Sequence, residues 1–240
     1  MDYIDFHCHI LYDMDFDGPR KVEVSRKIHE MQKEQGVFAV CATPHYYPWN
    51  EDIDSFLARR STALEKLQSA IPDAVIYPGA EVQVFADLPM QPADRMCIGQ
   101  SNAILLELPF TPFKPWIISA IENTVFKYSL VPIIAHVERY GLSVKDLHKL
   151  ASIPHVIFQV NVESFRSFTA ASALRAIYSL GIPVILGSDA HNVTKRPPRF
   201  SIASSLLVKK HGFADFGRAE MLESSLRAQN DVAKRLKIKV

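Results

Sequence analysis

Short apolar runs alternate with longer amphipathic stretches along this chain, and the alternation predicts strands that are each followed by a helix. The runs Val-Pro-Ile-Ile-Ala at 131–135 and Pro-Val-Ile-Leu at 183–186 are apolar throughout. Continuous runs of this kind are typical of parallel strands that are buried on both faces beneath helices. The rhythm therefore indicates an α/β fold with a parallel sheet or barrel.

The pattern predicts seven strands and seven helices, separated by turn-forming residues. Gly36 ends the first helix, Pro72 follows the second, and Gly181 ends a later one. The predicted strands cover 3–8, 37–42, 74–77, 103–108, 131–135, 155–161 and 183–186. The predicted helices cover 22–35, 53–70, 116–129, 144–151, 170–180, 201–211 and 219–236, and the stretch 87–101 is irregular.

Seven strand–helix units favour a barrel with seven strand positions, here called staves, rather than eight. An open sheet is the alternative. The chain has 240 residues, a length that suits one large α/β domain as well as two small ones. Because no internal repeat or long linker divides it, we expect a single domain over residues 1–240.

Side chains that bind metal ions repeatedly follow these apolar runs. His7 and His9 are two residues apart on the first strand, so both leave the same face, and Asp189 and His191 repeat the spacing after the last strand. The C-terminal ends of parallel barrel strands lie on one face, where active sites form. We therefore predict one ring of candidate ligands. Its members are His7, His9, His45, Glu81, Glu107, His136, Asp189 and His191.

Each candidate has an ordinary alternative when it is taken alone. For His7 and His9 the alternative is a hydrogen bond to loop backbone at the rim of the barrel. For Asp189 it is an N-cap of the segment that follows, and for Glu81 or Glu107 it is a surface salt bridge. Charged residues are rarely buried unless they are paired or coordinated, however. Delivery of so many ligand types to one face favours a shared site. The remaining histidines receive no site role: His29, His148, His155 and His211.

The ring contains imidazoles and carboxylates but no thiolate, because Cys8 points away from His7 and His9. Such a set favours manganese, iron or zinc over calcium or a cysteine-type structural zinc site. Its members are too many for one ion, which implies a bridged cluster of two or three. A cluster of this kind activates water and stabilises both the attacking and the leaving oxygen in a displacement at phosphorus.

The amino-acid composition argues against several classes of function. Charged residues make up 22% of the chain and the net charge is +1, so no global field attracts nucleic acid or an acidic membrane. No apolar stretch is long enough to span a bilayer, and no secretory signal is visible. Cys8, Cys41 and Cys97 lack the spacing of a disulfide framework and fit a reducing compartment, so we expect a cytoplasmic protein.

Two arginines, Arg139 and Arg196, lie on loops just after ring residues and suit a phosphate group. A planar guanidinium binds phosphate oxygens in pairs. The alternative is a surface salt bridge, for instance with Glu138 or Glu163. A phosphatase with a cysteine nucleophile is excluded, since no arginine lies six residues after any cysteine.

The motifs that carry these residues occur in a specific order. They are Ile-Asp-Phe-His-Cys-His-Ile at 4–10, Asp-Gly-Pro at 17–19, Ala-Thr-Pro-His at 42–45, Gly-Ala-Glu at 79–81, Leu-Glu-Leu-Pro at 106–109, Pro-Ile-Ile-Ala-His-Val-Glu-Arg at 132–139, Gly-Ser-Asp-Ala-His-Asn at 187–192 and Arg-Pro-Pro at 196–198. With them the chain resembles the PHP (polymerase and histidinol phosphatase) superfamily along nearly its whole length. More closely, it resembles the bacterial tyrosine-protein phosphatases that are encoded with capsule and exopolysaccharide synthesis genes.

The resemblance implies a distorted (β/α)7 TIM-like barrel with three divalent metal ions, manganese or else iron or zinc, at the C-terminal ends of the strands. It adds Asp17 to the ring, whereas spacing alone leaves Asp13, Asp15 and Asp17 undecided. Phe16 departs from the family, which commonly has a second aspartate there. The implied ligand groups are His7, His9, Glu81 and Asp189 for the first ion, Glu81, Glu107 and His136 for the second, and Asp17, His45 and His191 for the third.

The resemblance further implies hydrolysis of phosphotyrosine in proteins, with Arg139 and Arg196 on the phosphoryl group and a bacterial tyrosine kinase of polysaccharide synthesis as partner. A histidinol-phosphate phosphatase is the nearest alternative, and a non-catalytic metal-binding protein is another. Five aromatic residues suit either a lip that receives a phenyl ring or ordinary loop packing. They are Tyr46, Tyr47, Trp49, Phe110 and Phe113.

Overall fold

The computed structural model describes residues 3–208 and 216–237. The strands are β1 (Tyr3–Cys8), β2 (Val37–Ala42), β3 (His45–Tyr46), β4 (Val75–Pro78), β5 (Glu81–Gln83), β6 (Ala103–Glu107), β7 (Val131–Ile134), β8 (Ile157–Asn161) and β9 (Val184–Gly187). The helices are α1 (Val22–Glu34), α2 (Ile53–Ala70), α3 (Pro115–Tyr128), α4 (Val144–Ala151), α5 (Ala171–Ser179), α6 (Ser201–Val208) and α7 (Phe216–Arg235). Short 3-10 helices lie at Leu88–Met90, Ala93–Met96, Val137–Arg139 and Val162–Arg166.

The strands of the described residues make seven parallel staves. One sheet has the order β1-β2-β4, and the other has the order β3-β5-β6-β7-β8-β9. β2 and β3 form one run that is interrupted by Thr43 and Pro44, and β4 and β5 form another that is interrupted by Gly79 and Ala80. The amide of Gly79 donates to the carbonyl of Ala42 over 2.8 Å, so hydrogen bonding continues between the two runs. The predicted third strand over 74–77 therefore corresponds to β4, and β5 continues the same stave beyond it.

The first and last staves are neighbours. A parallel bridge joins Cys8, at the end of β1, to Ala190, just after β9. The amide of His9 donates to the carbonyl of Ala190 over 2.9 Å, and the amide of Asp189 donates to the carbonyl of His7 over 2.8 Å. The staves thus follow one another around a ring, which confirms the barrel prediction over the open sheet.

A shift of register in β1 sets the direction of the histidines. Between Asp5 and Cys8 the pairing of β1 with β2 moves by one residue. An extra residue exchanges the two faces of the strand that follows it. Phe6 accordingly packs in the cluster inside the ring, whereas Cys8 packs between the ring and the helices. The shift thereby leaves His7 and His9 on the inner side, at the C-terminal end of the stave.

The helices begin and end close to their predicted bounds. α2 begins after Asp52, whose carboxylate accepts from the amide of Ser55 over 2.9 Å, and Gly36 follows α1 with a φ of 85°. The irregular stretch 87–101 contains two 3-10 helices. Residues 209–211 of the predicted helix over 201–211, with His211, lie outside the described residues. No described helix has the length and apolar character needed to cross a membrane.

Candidate metal centre

Eight side chains from the C-terminal ends of the staves converge inside the rim of the ring. They come from the ends of β1 and β6, from the first residues of the short strands β3 and β5, and from the segments after β1, β7 and β9. All are buried except His45, whose side chain is one-fifth exposed. The structure thus brings together the ring residues predicted from strand-end spacing. These are His7, His9, His45, Glu81, Glu107, His136, Asp189 and His191.

Glu81 is the centre of this cluster. Its Oε2 lies 3.1 Å from Nε2 of His7, 3.1 Å from Nε2 of His9 and 3.1 Å from Nδ1 of His45. Its Oε1 accepts a hydrogen bond of 2.8 Å from Nε2 of His136. One carboxylate therefore faces four imidazoles.

The ligand atoms fall into four overlapping groups whose members lie within 4.8 Å of one another. Each group offers the donor atoms of one possible metal site, and the groups share members. Among the described residues, Asp17 belongs to none of the groups, although its Oδ1 lies 3.5 Å from Nε2 of His191. The groups are His7–Glu81–His136, His7–His9–Asp189, His9–His45–His191 and His45–Glu81–Glu107.

The polar atoms of this cluster are incompletely satisfied, and this tests whether the residues fit a metal ion. Within the described part of the chain, buried Oε2 of Glu81 and Nε2 of His191 have no hydrogen-bond partner. Buried polar atoms are nearly always paired, so unpaired ones at one point indicate an unmet ligand preference. Imidazole nitrogen and carboxylate oxygen are donors that suit manganese, iron and zinc. The residues therefore fit divalent metal ions.

Hydrogen bonds behind the cluster fix which nitrogen faces it in three of the five histidines. Nδ1 of His7 donates to Oε1 of Gln159 over 2.9 Å, and Nδ1 of His9 donates to Oδ2 of Asp15 over 3.0 Å. Nδ1 of His191 donates to the carbonyl oxygen of Asp189 over 3.0 Å. Because Nδ1 carries the proton in each case, Nε2 keeps its lone pair for the cluster.

Two of the ring residues have an uncommon backbone conformation. His136 has a φ of 29° and Asp189 has a φ of 52°, values that residues other than glycine rarely adopt. Strain of this kind concentrates at functional sites, where the surrounding structure holds it in place. Each residue follows the end of a stave within two residues, so the sharp turn directs its side chain back over the rim.

Gln159 supports the cluster and was not predicted from the sequence. Its Oε1 accepts from the amide of His136 over 2.7 Å as well as from His7. Its Nε2 donates to Oδ1 of Asn161, and Nδ2 of Asn161 donates to Oδ2 of Asp189 over 3.2 Å. The signal was present as Gln-Val-Asn, two polar residues on one face of an otherwise apolar strand.

Within the undecided acidic group, the buried residue is Asp15. Besides bonding His9, its carboxylate accepts from the amide of His45 over 2.9 Å. Asp17 is half-exposed, and its Oδ2 accepts from Nη1 of Arg196 over 2.9 Å. Phe16, between them, is 92% exposed. Asp15 thus positions two ring histidines, a role that the sequence analysis missed.

Both predicted phosphate-binding arginines contact Asp189. Nη1 of Arg139 lies 2.8 Å from Oδ2, and Nη2 of Arg196 lies 2.7 Å from Oδ1. Both guanidinium groups are partly exposed on the open side of the cluster. Neither uses the alternative partners, since Glu138 accepts from the amide of Asn161 and Glu163 lies near Arg199.

The buried charged groups of the cluster shift one another's pKa values strongly. Burial alone lowers the pKa of His9, but the carboxylates of Asp15 and Glu81 raise it to about 10. Burial and the charge of Glu81 raise the pKa of Glu107 to about 8. Burial opposes ionisation of Glu81, yet the imidazoles of His7 and His45 hold its pKa well below its usual range. The cluster without metal therefore holds protons at neutral pH.

Aromatic side chains border the cluster on two sides. The ring of Tyr47 stacks on His45 with centroids 5.0 Å apart, and Trp49 stacks on Tyr47. On the other side the ring of Phe110 lies 6.0 Å from that of His136. Of the five aromatic residues for which a lip and packing were both open, Tyr46 is a packing residue, because it is buried against Phe56. Phe113 packs partly against the core, and Tyr140 was not predicted at the site.

The histidines that received no site role lie away from the cluster. His29 and His148 belong to the outer helices α1 and α4. His155 precedes β8 and so lies at the opposite end of its stave.

Comparison with known proteins finds relatives over most of the chain. A family model described as capsular polysaccharide synthesis, CpsB/CapC, matches residues 3–222. The tyrosine-protein phosphatase CpsB of Streptococcus pneumoniae is 26% identical over 227 residues, which cover 87% of this chain and 91% of that protein. The tyrosine-protein phosphatase YwqE of Bacillus subtilis is 25% identical over 228 residues, which cover 87% and 85%.

The fold agrees with a solved structure as well. Crystal structures of YwqE from Bacillus subtilis and CpsB from Streptococcus pneumoniae, described as unique metal-dependent tyrosine phosphatases, match with a TM-score of 0.71. The match covers 94% of each chain at 23% identity, so it shows a shared fold. With the family model spanning nearly the whole sequence, the chain belongs to the CpsB/CapC family of capsular polysaccharide synthesis.

Proposed function

We propose that this protein is a metal-dependent phosphomonoesterase that removes phosphate from phosphotyrosine in proteins. The observation that carries the proposal is the position of Glu81, whose Oε2 lies 3.1 Å from three imidazole nitrogens beside two arginines. The relatives named as tyrosine-protein phosphatases support the same activity.

The proposed ligands are the eight clustered side chains together with Asp17. We propose three divalent ions in the groups that the resemblance implies, with manganese first and iron or zinc as alternatives. The donor set suits all three metals. Bound ions of this type lower the pKa of water and neutralise charge on phosphoryl oxygens.

The chain's own side chains then bind and orient the substrate. Arg139 and Arg196 are placed to donate to two phosphoryl oxygens, since both guanidinium groups face Asp189 from the open side. This contribution is electrostatic and positional, because the arginines hold charge where it develops without forming a bond. The leaving phenolate, with a pKa of ~10, needs less protonation than an alkoxide would.

We propose that residues 1–240 form one barrel domain. Its proposed partner and substrate is a bacterial tyrosine kinase of polysaccharide synthesis. The description of the family as capsular polysaccharide synthesis supports this partner. Cys8, Cys41 and Cys97 are free and buried, which suits a reducing compartment, and we place the reaction in the cytoplasm.

Hydrolysis assays with and without metal test the proposal. Purified protein is treated with a chelator, dialysed and supplied with manganese, and phosphate release is measured from a phosphotyrosine peptide and from histidinol phosphate. We expect activity on the phosphotyrosine peptide that is lost with the metal and restored by manganese. Activity that survives complete metal removal would contradict the metal dependence. A preference for histidinol phosphate would overturn the substrate, and inactivity toward both would favour a non-catalytic metal-binding protein.

A further inference from the structure

Asp5 is a fully buried carboxylate on β1, two residues before His7. Its Oδ1 accepts from the amide of Ser188 over 2.8 Å and from the amide of His7 over 3.3 Å. Its Oδ2 accepts from the hydroxyl of Ser188 over 2.5 Å and from Nε2 of Gln32, on α1, over 2.7 Å. The carboxylate therefore joins the first stave to the segment that follows the last stave.

The hydrogen bonds around Asp5 require a group that only accepts. All of its partners in these four bonds are donors, and an ionised carboxylate offers two oxygens with about four lone-pair positions. An amide side chain of the same shape would turn N–H groups toward two of the donors. Because burial of a carboxylate is costly unless donors surround it, the position indicates a role that a neutral side chain would not fill.

Ser188 carries these bonds on to Asp189, the next residue. The hydroxyl oxygen of Ser188 accepts from the amide of Ala190 over 3.1 Å, while the same hydroxyl donates to Asp5. The amide of Asp189 donates to the carbonyl of His7 over 2.8 Å. Three consecutive amides are thus bonded around Asp189, whose φ of 52° is rare outside glycine. Such a conformation persists only where the surrounding structure holds it.

The carboxylate of Asp189 lies between the histidines of the cluster and the two arginines. Its Oδ1 lies 3.5 Å from Nε2 of His9 and 2.7 Å from Nη2 of Arg196, and its Oδ2 lies 2.8 Å from Nη1 of Arg139. If Asp189 relaxed to an ordinary φ, its side chain would leave this position. A candidate metal ligand and the partner of both guanidinium groups would then be lost together.

We infer that Asp5 is a positioning residue of the candidate active site. Through the amide and hydroxyl of Ser188 it holds Asp189 in the backbone conformation that presents its carboxylate to metal ions and to the two arginines. The inference rests on the proposed function, since it takes Asp189 as a metal ligand and the arginines as phosphate-binding groups. Asp5 acts from behind the cluster, because it belongs to none of the ligand groups found among the described residues.

Removal of the Ser188 hydroxyl tests the inference, and the chain offers a matched control. Ser225 on α7 is also buried, and its hydroxyl is bonded to that of Tyr178 over 2.5 Å, but neither of these two residues belongs to a ligand group of the described chain. Manganese is titrated into metal-free Ser188→Ala and Ser225→Ala by calorimetry, and urea unfolding measures their stability. We expect both variants to be less stable than wild type. Only Ser188→Ala should lose manganese affinity, by roughly 10- to 100-fold.

Steady-state kinetics on a phosphotyrosine peptide at saturating manganese give a second measurement. Because Asp189 orients both arginines, KM in Ser188→Ala should rise by a larger factor than kcat falls, and both constants should stay at wild-type values in Ser225→Ala. An unchanged KM in Ser188→Ala would overturn the part of the inference that concerns the arginines.

Asp5→Asn should show the same losses as Ser188→Ala, since an amide meets two of the donors with N–H groups in either orientation. The two substitutions break the same bond, so the variant that carries both should lose less manganese affinity than the product of the single losses. Fully multiplicative losses would show that Asp5 does not act through Ser188. If Asp5→Asn does not fold, the comparison of the two serine variants decides alone.

Wild-type manganese affinity in Ser188→Ala, or equal losses of affinity in the two serine variants, would overturn the inference. A merely structural role predicts no difference in metal binding between two buried serines. The proposed activity fails separately from the inference, because manganese binding is measured without substrate. If the affinity losses occur as expected but no form hydrolyses the peptide, the proposed activity is wrong and the positioning of Asp189 by Asp5 stands.

Discussion

Nδ1 of His7 donates to the side-chain oxygen of Gln159 over 2.9 Å, and this bond keeps the other imidazole nitrogen, Nε2, directed at Glu81. The same oxygen of Gln159 also accepts from the amide of His136. One buried amide therefore holds two candidate ligands from different staves. Outer partners of this kind set both the tautomer and the direction of metal-binding histidines.

Replacement of Gln159 by leucine should therefore weaken metal binding. We expect metal affinity to fall roughly 10- to 100-fold, as is usual for loss of an outer partner, and the metal-free protein to lose about 1–3 kcal/mol of unfolding free energy from the unpaired amide. Metal titration by calorimetry and urea unfolding measure the two effects. Gln159→Glu, which keeps an acceptor for both donors, is the control, and unchanged affinity in Gln159→Leu would contradict the role.

Substitution of Asp15 should lower both the stability of the protein and its metal binding, whereas substitution of Asp17 should lower metal binding alone. Asp15 is buried and bonds both His9 and the amide of His45, so Asp15→Ala should lower the unfolding free energy of the metal-free protein by about 1–3 kcal/mol as well as weaken metal binding. Asp17 is half-exposed, so Asp17→Ala should leave unfolding within about 0.5 kcal/mol of wild type and reduce only the metal content. Urea unfolding and elemental analysis of both variants decide between them. Equal destabilisation by the two substitutions would refute this division.

Metal binding should depend on pH through His9 and Glu107. Their pKa values are raised to about 10 and about 8, so both groups carry protons at neutral pH when no metal is bound. A metal ion binds only the deprotonated forms, so affinity should rise as the pH increases from about 6 to about 8, with release of roughly two protons. Calorimetric titration in two buffers of different ionisation enthalpy counts the protons. Binding without proton release, at an affinity independent of pH, would show that these groups are not ligands.

Gly187 should tolerate no larger residue. A Cβ atom at this position would lie 2.6 Å from Cβ of His7 and 2.7 Å from Nε2 of Gln159. Gly187→Ala must therefore displace a buried histidine, at a cost of about 1–3 kcal/mol for overpacking. Gly217→Ala is the control, because nothing lies within 4 Å of its Cβ position, and we expect it to be neutral or slightly stabilising within α7. Denaturant unfolding of both variants gives the comparison, and equal midpoints would count against the close approach.

The barrel and most of the cluster follow from local sequence rules. Strand-end position and the two-residue spacing of His7 and His9 place ligand types on one rim, because parallel strands share a direction and alternate their side chains. The extra residue in β1 is invisible in the sequence, since a shift of register depends on the partner strand. The two-residue spacing still places His7 and His9 on one face, because the shift comes before both of them.

The outer partners were harder to predict from the sequence. Gln159 lies on β8, far along the chain from His7, and only the closed ring brings them together. Spacing also gave no reason to separate Asp15 from Asp17, because loop aspartates differ only by burial, which tertiary structure decides. The role of Tyr46 was left open for the same reason, since an aromatic side chain suits the core or the site border equally well until the helix that carries Phe56 is in place.

The metal content and activity of a Glu81→Gln variant test the central claim most directly. Glu81 faces four imidazoles, so its charge should be needed to hold the shared ions. We predict that wild-type protein purified with manganese carries more than one ion per chain, and that Glu81→Gln keeps its fold by circular dichroism but loses most of that metal. Its phosphotyrosine hydrolysis should fall by about a thousandfold or more, as expected when metal-ion stabilisation of several kcal/mol is lost. A folded Glu81→Gln variant with wild-type metal content and activity would contradict the account.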